Sequence, residues 1–245
     1  MKPTTLNVAG YRFVPLDDLA ALRLRLFNVA LAQGILGTVL LADEGINLCL
    51  AGAPEGIKAW LTLLRADPRF ADLATKDSHS ASQPFQRLKV KLKREIIRMD
   101  QPAIAPAAGR APAVDATTLA RWITQGRCDA GRPLKLLDTR NDFEVDAGAF
   151  GGAVDWRLRK FSDFPAALTA HRNELEGHTV VSYCTGGIRC EKAALLMQGL
   201  GLEHSYQLDG GILKYFEATA GLAPGWVGRC FVFDERAGLD TSLAA

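Results

Sequence analysis

Residues 180–194, with the sequence V-V-S-Y-C-T-G-G-I-R-C-E-K-A-A, are the stretch that most constrains the fold. The β-branched and aromatic residues before Cys184 predict a strand, and the residues from Arg189 onward predict a helix. Gly186 and Gly187 stand between the two and can take backbone angles closed to other residues. Cys184 is therefore expected at a strand-to-helix turn, the edge where parallel α/β sheets carry their sites.

This turn also predicts a reactive sulfur. Backbone amides of the loop, the N-terminal end of the helix and the Arg189 guanidinium can all stabilise a thiolate. Cysteine in an apolar strand is often an inert core residue, but the glycines and the arginine favour a nucleophile. The predicted active-site loop consists of Cys184, Thr185, Gly186, Gly187, Ile188 and Arg189.

Four further cysteines accompany Cys184. Cys190 is interpreted as a buried helix residue, with the alternative that it resolves an oxidised or persulfidated Cys184. Cys49, Cys128 and Cys230 have no local activating features and are predicted to be structural. The odd total of 5, with no C-x-x-C pair and no clustered histidines, indicates neither a disulfide framework nor a metal site.

The elements around this turn alternate as in a parallel α/β domain. Asp138 and Arg140 follow a predicted strand and are assigned supporting roles, because an aspartate and an arginine at a strand end usually form an ion pair. The predicted elements are a helix from Asp115 to Gly126, strand 134–137, helix 164–175, strand 179–183, helix 189–199, strand 204–208 and a helix through Tyr215 and Phe216.

The first hundred residues predict β-α-β-β-α-β, a ferredoxin-like domain with two helices on one face of an antiparallel sheet. Asp43-Glu44-Gly45 is the predicted turn of a hairpin. The predicted elements are strand 11–16, a helix ending near Gly34, strands 37–42 and 46–51, a helix opening at Pro54 and a last strand, 87–97.

The last of these strands, R-L-K-V-K-L-K, carries a charge signal. A two-residue period places Lys89, Lys91 and Lys93 on one face, next to Arg87. A solvated face that discourages edge pairing and a surface that tracks a phosphate backbone explain this pattern equally well.

Composition sets the domain organisation. The chain has 245 residues, 48% of them hydrophobic, and a net charge of +2 that decides little. There is no secretory signal and no apolar run of the roughly 18 residues that span a bilayer, so a cytoplasmic protein without membrane contact is expected. The predicted division is a ferredoxin-like domain over 1–100, a proline-rich linker over 101–114, a catalytic α/β domain over 115–225 and a tail over 226–245.

The loop from Cys184 to Arg189 resembles the six-residue active-site loop of the rhodanese superfamily, one residue shorter than the phosphate-sized loop of Cdc25-type phosphatases. Across nearly its full length the chain resembles the rhodanese-like tRNA uridine(34) hydroxylases (TrhO). The matching blocks are L-L-A-D-E-G-I-N (40–47), R-L-K-V-K-L-K (87–93), D-T-R-N-D (138–142), C-T-G-G-I-R-C-E-K (184–192), G-G-I-L-K-Y (210–215) and C-F-V-F-D-E-R (230–236).

That resemblance implies oxygen-dependent hydroxylation of uridine 34, in the tRNA anticodon loop, to 5-hydroxyuridine. It also implies that Cys184 is the essential residue and that oxygen is a co-substrate without a metal or other cofactor. In rhodanese-like domains a D-x-R motif is followed four residues on by an acidic residue; Asp138, Arg140 and Glu144 match it, which implies a supporting role for Glu144 as well. The first domain would hold RNA through the lysine strand, together with Arg157, Arg159 and Lys160 of the second domain. Two alternatives stay open: a sulfurtransferase carrying a persulfide on Cys184, and a non-catalytic RNA-binding module. The oligomeric state is not predicted.

Overall fold

The computed structural model describes residues 5–245, and these residues form two compact units. One unit comprises the chain through Ile97 together with Phe233–Arg236 and Ala244. The other comprises Arg98–Val232, Ala237–Leu243 and Ala245. Over the described range, no helix combines the length and apolarity needed to cross a bilayer.

The first unit is a five-stranded sheet with two helices, in the strand order β4-β1-β3-β2-β5. Both helices contribute to one core, in which Trp60 is fully buried and donates its indole N–H to the carbonyl oxygen of Leu26 at 3.1 Å. The elements are β1 (Thr5–Phe13), α1 (Leu19–Ala32), β2 (Leu36–Ala42), β3 (Gly45–Gly52), α2 (Pro54–Arg65), β4 (Thr75–Ser80) and β5 (Leu88–Leu92).

The fourth strand of the ferredoxin-like motif differs from the prediction. It is β4, which pairs antiparallel with β1, and not the lysine-bearing segment 87–97. That segment forms the shorter β5, which pairs parallel with β2 at the opposite edge of the sheet. The sequence of β4, T-K-D-S-H-S, has no fully buried position and therefore lacks the apolar alternation that marks a strand.

The predicted hairpin between β2 and β3 is confirmed, with Ala42 paired to Gly45 across Asp43 and Glu44. Its side chains also hold the chain beyond β5: a Glu44 carboxylate oxygen accepts from the Ile96 amide at 2.7 Å, and Asn47 donates to the Ile96 carbonyl oxygen at 3.2 Å. The D-E-G-I-N block thus has a structural role, because it fixes where the lysine strand ends.

The second unit contains a four-stranded parallel sheet in the order β6-β10-β9-β7, with β9 fully buried near its centre. The strands are β6 (Ala113–Val114), β7 (Leu134–Asp138), β8 (Gly148–Phe150), β9 (Thr179–Tyr183), β10 (Ser205–Leu208), β11 (Trp226–Gly228), β12 (Cys230–Phe231) and β13 (Gly238–Leu239). The helices are α3 (Ala116–Gln125), α4 (Asp142–Ala147), α5 (Phe164–His171), α6 (Ile188–Gly199) and α7 (Gly211–Ala218).

Local signals in this unit predicted its elements well. The predicted fold class, a ferredoxin-like α+β domain followed by the parallel α/β domain expected from the rhodanese resemblance, agrees with the observed sheets. Asp115 caps α3 by accepting the Thr118 amide at 2.9 Å, and Gly126 ends it with φ 68°. Two segments are more ordered than predicted. The linker 101–114 contributes β6 to the parallel sheet, and the tail 226–245 contributes β11, β12 and β13.

The hairpin turn generates a stability prediction. Gly45 has φ +145°, and a Cβ there would lie 2.0 Å from the Arg12 carbonyl oxygen, so Gly45→Ala combines a backbone angle open only to glycine with a main-chain clash. We expect it to lower the free energy of unfolding by about 3 kcal/mol or more. Gly34→Ala is the matched control, since Gly34 also has positive φ (+64°) but has open space around it. Gly34→Ala should lower the free energy of unfolding by only about 1 kcal/mol. Equal urea midpoints for the two variants would contradict this account.

Candidate active site

Cys184 lies between the last residue of β9 and the first residue of α6, as predicted. Gly187 adopts φ 99° before the first turn of α6, and its amide donates to the Cys184 sulfur at 3.2 Å. The side chain of Cys184 is 0% exposed. The sulfur is therefore buried at the carboxyl-terminal end of the parallel sheet.

The start of α7 fixes the main chain of this loop. The Ile212 amide donates to the Cys184 carbonyl oxygen at 3.0 Å, and the Leu213 amide donates to the Thr185 carbonyl oxygen at 3.1 Å. Gly211, at φ +70°, approaches so closely that a Cβ would lie 2.4 Å from the Cys184 oxygen. These residues were not predicted to belong to the site. The signal that could have identified them is the Gly-Gly-Ile at 210–212, which repeats the Gly-Gly-Ile at 186–188 in the active-site loop.

The surroundings of Cys184 favour its ionised form. Burial alone would raise the pKa of this thiol, but the hydrogen bond from Cys190, the charge of Arg189 and the amides of Cys190 and Arg189 outweigh burial. Together they hold the pKa of Cys184 well below its usual value. Burial and the neighbouring Cys184 sulfur raise the pKa of Cys190. The site therefore favours a thiolate at Cys184 and a thiol at Cys190.

Glu144 anchors the Arg189 guanidinium. Its carboxylate oxygens accept from Arg189 at 2.5 and 2.7 Å, and the carboxylate also accepts the Asn141 amide at 3.0 Å and the Thr185 hydroxyl at 3.3 Å. Glu144 is 0% exposed. Burial opposes its ionisation, but the Arg189 charge lowers the pKa of Glu144. The sequence predicted a supporting role for Glu144 without identifying Arg189 as its partner.

Asp138 and Arg140 form a second buried ion pair, with a shortest contact of 2.6 Å. Arg140 also donates to the carbonyl oxygens of Glu144 at 3.2 Å and Gly148 at 2.7 Å. This pair holds both ends of α4, which carries Glu144. Arg140 thus contacts the segment that carries Glu144, and Asp138 pairs with Arg140. Their supporting roles in the reaction stay predictions.

Cys190 is buried in the first turn of α6, and its sulfur lies 3.8 Å from that of Cys184. Its S–H donates to the Gly187 carbonyl oxygen at 2.9 Å. Among the other cysteines, burial raises the pKa of Cys230 to about 12 and that of Cys49 to about 11. Cys128 is different: against the effect of burial, the Thr179 hydroxyl and backbone amides lower its pKa. Its structural role stays a prediction.

An aromatic pair borders the active-site loop. Phe143 and Phe231 meet edge to face with ring centroids 5.1 Å apart. The Thr185 hydroxyl contacts the Phe231 carbonyl oxygen at 3.5 Å, and Phe143 immediately precedes Glu144. Phe143 is 45% exposed, so part of this residue lies at the protein surface.

The predicted RNA-contacting residues fall in different units. Arg87, Lys89, Lys91 and Lys93 are exposed residues of the first unit, on or next to the edge strand β5. Arg157, Arg159 and Lys160 are exposed residues of the second unit. Arg157 is already paired with Asp146 at 2.7 Å and Asp155 at 3.1 Å, and Lys160 lies 3.7 Å from Asp163. The lysines of β5 are thus the stronger candidates for phosphate contacts.

The acidity of Cys184 can be measured without access to the buried sulfur. We expect the 240 nm thiolate absorbance, taken as the difference between the native protein and Cys184→Ser, to be almost fully developed at pH 7. A lowered pKa means that this signal is lost only as pH falls well below neutrality. A difference signal that appears above pH 8, as for an ordinary thiol, would contradict the assignment.

Two family models match the chain: the UPF0176 acylphosphatase like domain over residues 5–96 and the rhodanese-like domain over residues 115–218. The chain is 62% identical over 242 residues to the tRNA uridine(34) hydroxylase of Bordetella petrii, covering 99% of this chain and 95% of that protein. It is 61% identical to the protein of the same name from Variovorax paradoxus, covering 98% of this chain and 90% of the relative. A similar match, 61% over 237 residues and 97% of both chains, is to the Bordetella avium protein of that name. This chain is an enzyme, and it belongs to the tRNA uridine(34) hydroxylase family.

Proposed function

We propose that this enzyme hydroxylates uridine 34 of tRNA at ring carbon 5, giving 5-hydroxyuridine, and that it does so in the cytoplasm with molecular oxygen as co-substrate and no resident cofactor. The observation that carries the proposal is the Cys184 sulfur, held between the Gly187 amide and the Arg189 charge in a chain whose relatives are named for this reaction. Such a sulfur is a nucleophile at neutral pH.

The proposed chemistry begins with addition of the Cys184 thiolate to carbon 6 of the uracil ring. The carbon 5–carbon 6 electron pair then moves into an enolate at O4, which the positive charge of Arg189 and the loop amides stabilise. Carbon 5 becomes electron-rich and reacts with oxygen. One oxygen atom stays on carbon 5 and the other leaves as water, so each turnover consumes two electrons in addition to oxygen.

The target base of the tRNA must reach a sulfur that is buried in the free protein. Because Cys184 has no exposed surface, the residues over it must move when a base binds. An anticodon-loop base is single-stranded and can be splayed out at low cost, usually onto an aromatic side chain. Phe143, which is partly exposed and packs on Phe231 next to Thr185 of the loop, is the aromatic side chain that we propose for this contact.

We further propose that the lysine strand holds the RNA backbone. Lys89, Lys91 and Lys93 are exposed at one edge of the first unit's sheet, and no carboxylate forms an ion pair with them in the part of the chain that the structure describes. Their ammonium groups are therefore available for phosphates, whose contacts give affinity without sequence information.

The reaction is tested by nucleoside mass spectrometry of tRNA incubated with purified enzyme in air. We expect uridine 34 to gain about 16 daltons, the mass of one oxygen atom. This gain should be absent without oxygen and absent with Cys184→Ala. Cys128→Ala is the matched control, because Cys128 is the other buried cysteine with a lowered pKa, and it should retain the product. If no gain appears and a persulfide donor instead loads sulfur onto Cys184, the enzyme is a sulfurtransferase.

The RNA-binding surface is tested by charge reversal. The triple variant Lys89→Glu, Lys91→Glu, Lys93→Glu should weaken tRNA binding by at least about tenfold and flatten the dependence of log Kd on log salt, since each lost phosphate contact removes about 0.7 to 0.9 from the slope. Lys58→Glu changes an exposed lysine on α2 and should leave both quantities near those of the native protein. Unchanged affinity and slope in the triple variant would exclude the lysine strand as the RNA contact.

A further inference from the structure

The contact between the two sulfurs of the active site lowers the pKa of Cys184 but has no redox role in the chemistry described so far. We propose that Cys190 is a second catalytic cysteine: the reduced Cys184–Cys190 pair supplies the two electrons that hydroxylation consumes, and it ends each turnover as a disulfide. This inference rests on the proposed function and identifies the electron source for the same site.

The geometry suits formation of a bond between these sulfurs. They lie 3.8 Å apart, and a disulfide bond is about 2.05 Å long, so an approach of roughly 2 Å is required. Cys190 can move towards Cys184 by giving up one weak hydrogen bond, that from its S–H to the Gly187 carbonyl oxygen. Both side chains are fully buried, so an external thiol or a bulky oxidant has poor access to either sulfur while the site is covered.

The two cysteines are also unlike in acidity, as two different roles require. Cys184 receives the Gly187 amide and the charge of Arg189, which suits it to attack carbon 6 as a thiolate. The Cys190 S–H donates a hydrogen bond to a carbonyl oxygen, and burial raises the pKa of this thiol, so it stays protonated. It therefore does not compete for the base but stays available as a reductant beside it.

The sequence of steps balances in atoms and electrons. After Cys184 has added to carbon 6, carbon 5 binds oxygen and a proton to form a hydroperoxide. The Cys190 sulfur attacks the terminal peroxide oxygen as its proton passes to the oxygen that stays on carbon 5. The O–O bond breaks, leaving a hydroxyl on carbon 5 and a sulfenic acid on Cys190. Loss of the carbon 5 proton expels the Cys184 thiolate and restores the ring. Cys184 then displaces water from the sulfenic acid, forming the disulfide.

The net reaction is uridine, oxygen and two thiols giving 5-hydroxyuridine, water and one disulfide. A dithiol reductant must then reduce the disulfide before the next turnover. The competing explanation is that Cys190 is a small core residue, in which case its sulfur would be dispensable.

A single-turnover experiment on the native protein tests the proposal. Enzyme reduced without oxygen and freed of reductant is mixed with tRNA and air, and the remaining thiols are then blocked with an alkylating reagent. We expect one disulfide for each 5-hydroxyuridine formed. Trypsin cuts after Arg172, Arg189 and Lys192, so the disulfide would appear as peptide 173–189 joined to peptide 190–192. Product formed while both cysteines remain alkylatable would overturn the proposal, and so would equal disulfide formation without tRNA.

Variants provide the second test. Cys190→Ser keeps a donor for the Gly187 oxygen, and it should lower the single-turnover yield of 5-hydroxyuridine at least about tenfold. It should still form a covalent adduct with RNA that carries 5-fluorouridine at position 34, which shows a folded protein and a competent Cys184. Cys128→Ser, a change at another buried cysteine of the same unit, should retain full yield.

The outcomes separate the two proposals. If Cys190→Ser matches the native yield, the redox role fails while the hydroxylase stands. If the native enzyme makes no 5-hydroxyuridine even with dithiothreitol and air, the proposed function fails and the redox role fails with it.

Discussion

The site depends on one buried interaction, the two-point ion pair between Glu144 and Arg189. Two charges removed from water repay their desolvation only when geometry is good and the remaining hydrogen-bonding capacity is met. Here the Asn141 amide and the Thr185 hydroxyl supply those further bonds to Glu144. Removing one partner of such a pair commonly costs about 3–5 kcal/mol, because the other charge is left buried alone. This pair joins α4 to α6 and keeps a positive charge beside Cys184 without exposing it to solvent.

The ion pair also explains how distant blocks of sequence cooperate. Asp138 and Arg140 hold α4, α4 presents Glu144, and Glu144 orients Arg189 on the first turn of α6. From the other side, the first turn of α7 binds the carbonyl oxygens of Cys184 and Thr185. The loop amide that faces the sulfur is thus held by elements more than 20 residues away in either direction. A change in any of these elements acts on the thiolate through the position of the loop.

Local signals made much of this structure predictable, and non-local contacts set the limit. Strand β9, the glycine turn and α6 follow from a buried apolar run, two glycines and a helical stretch, so Cys184 was placed correctly. The polar edge strand β4 was missed because only its pairing with β1 makes it a strand. The partner of Arg189 is 45 residues away, and the contact between Cys184 and Cys190 depends on how α6 leaves the turn. Neither contact can be predicted from the spacing of these residues along the sequence. Likewise, the charge pattern could not show that Arg157 is neutralised by two aspartates.

Complete burial of Cys184 has a consequence for the lifetime of the enzyme. Ionised sulfurs are the first targets of peroxide and of glutathione exchange, and over-oxidation to a sulfinic acid is irreversible for most proteins. If the sulfur of such an enzyme were accessible to solvent between turnovers, oxidation would inactivate it. With no accessible surface on the sulfur, damage is limited to the intervals in which the cover moves. If RNA binding uncovers the sulfur, as proposed above, oxidants reach Cys184 only during the time in which RNA is bound.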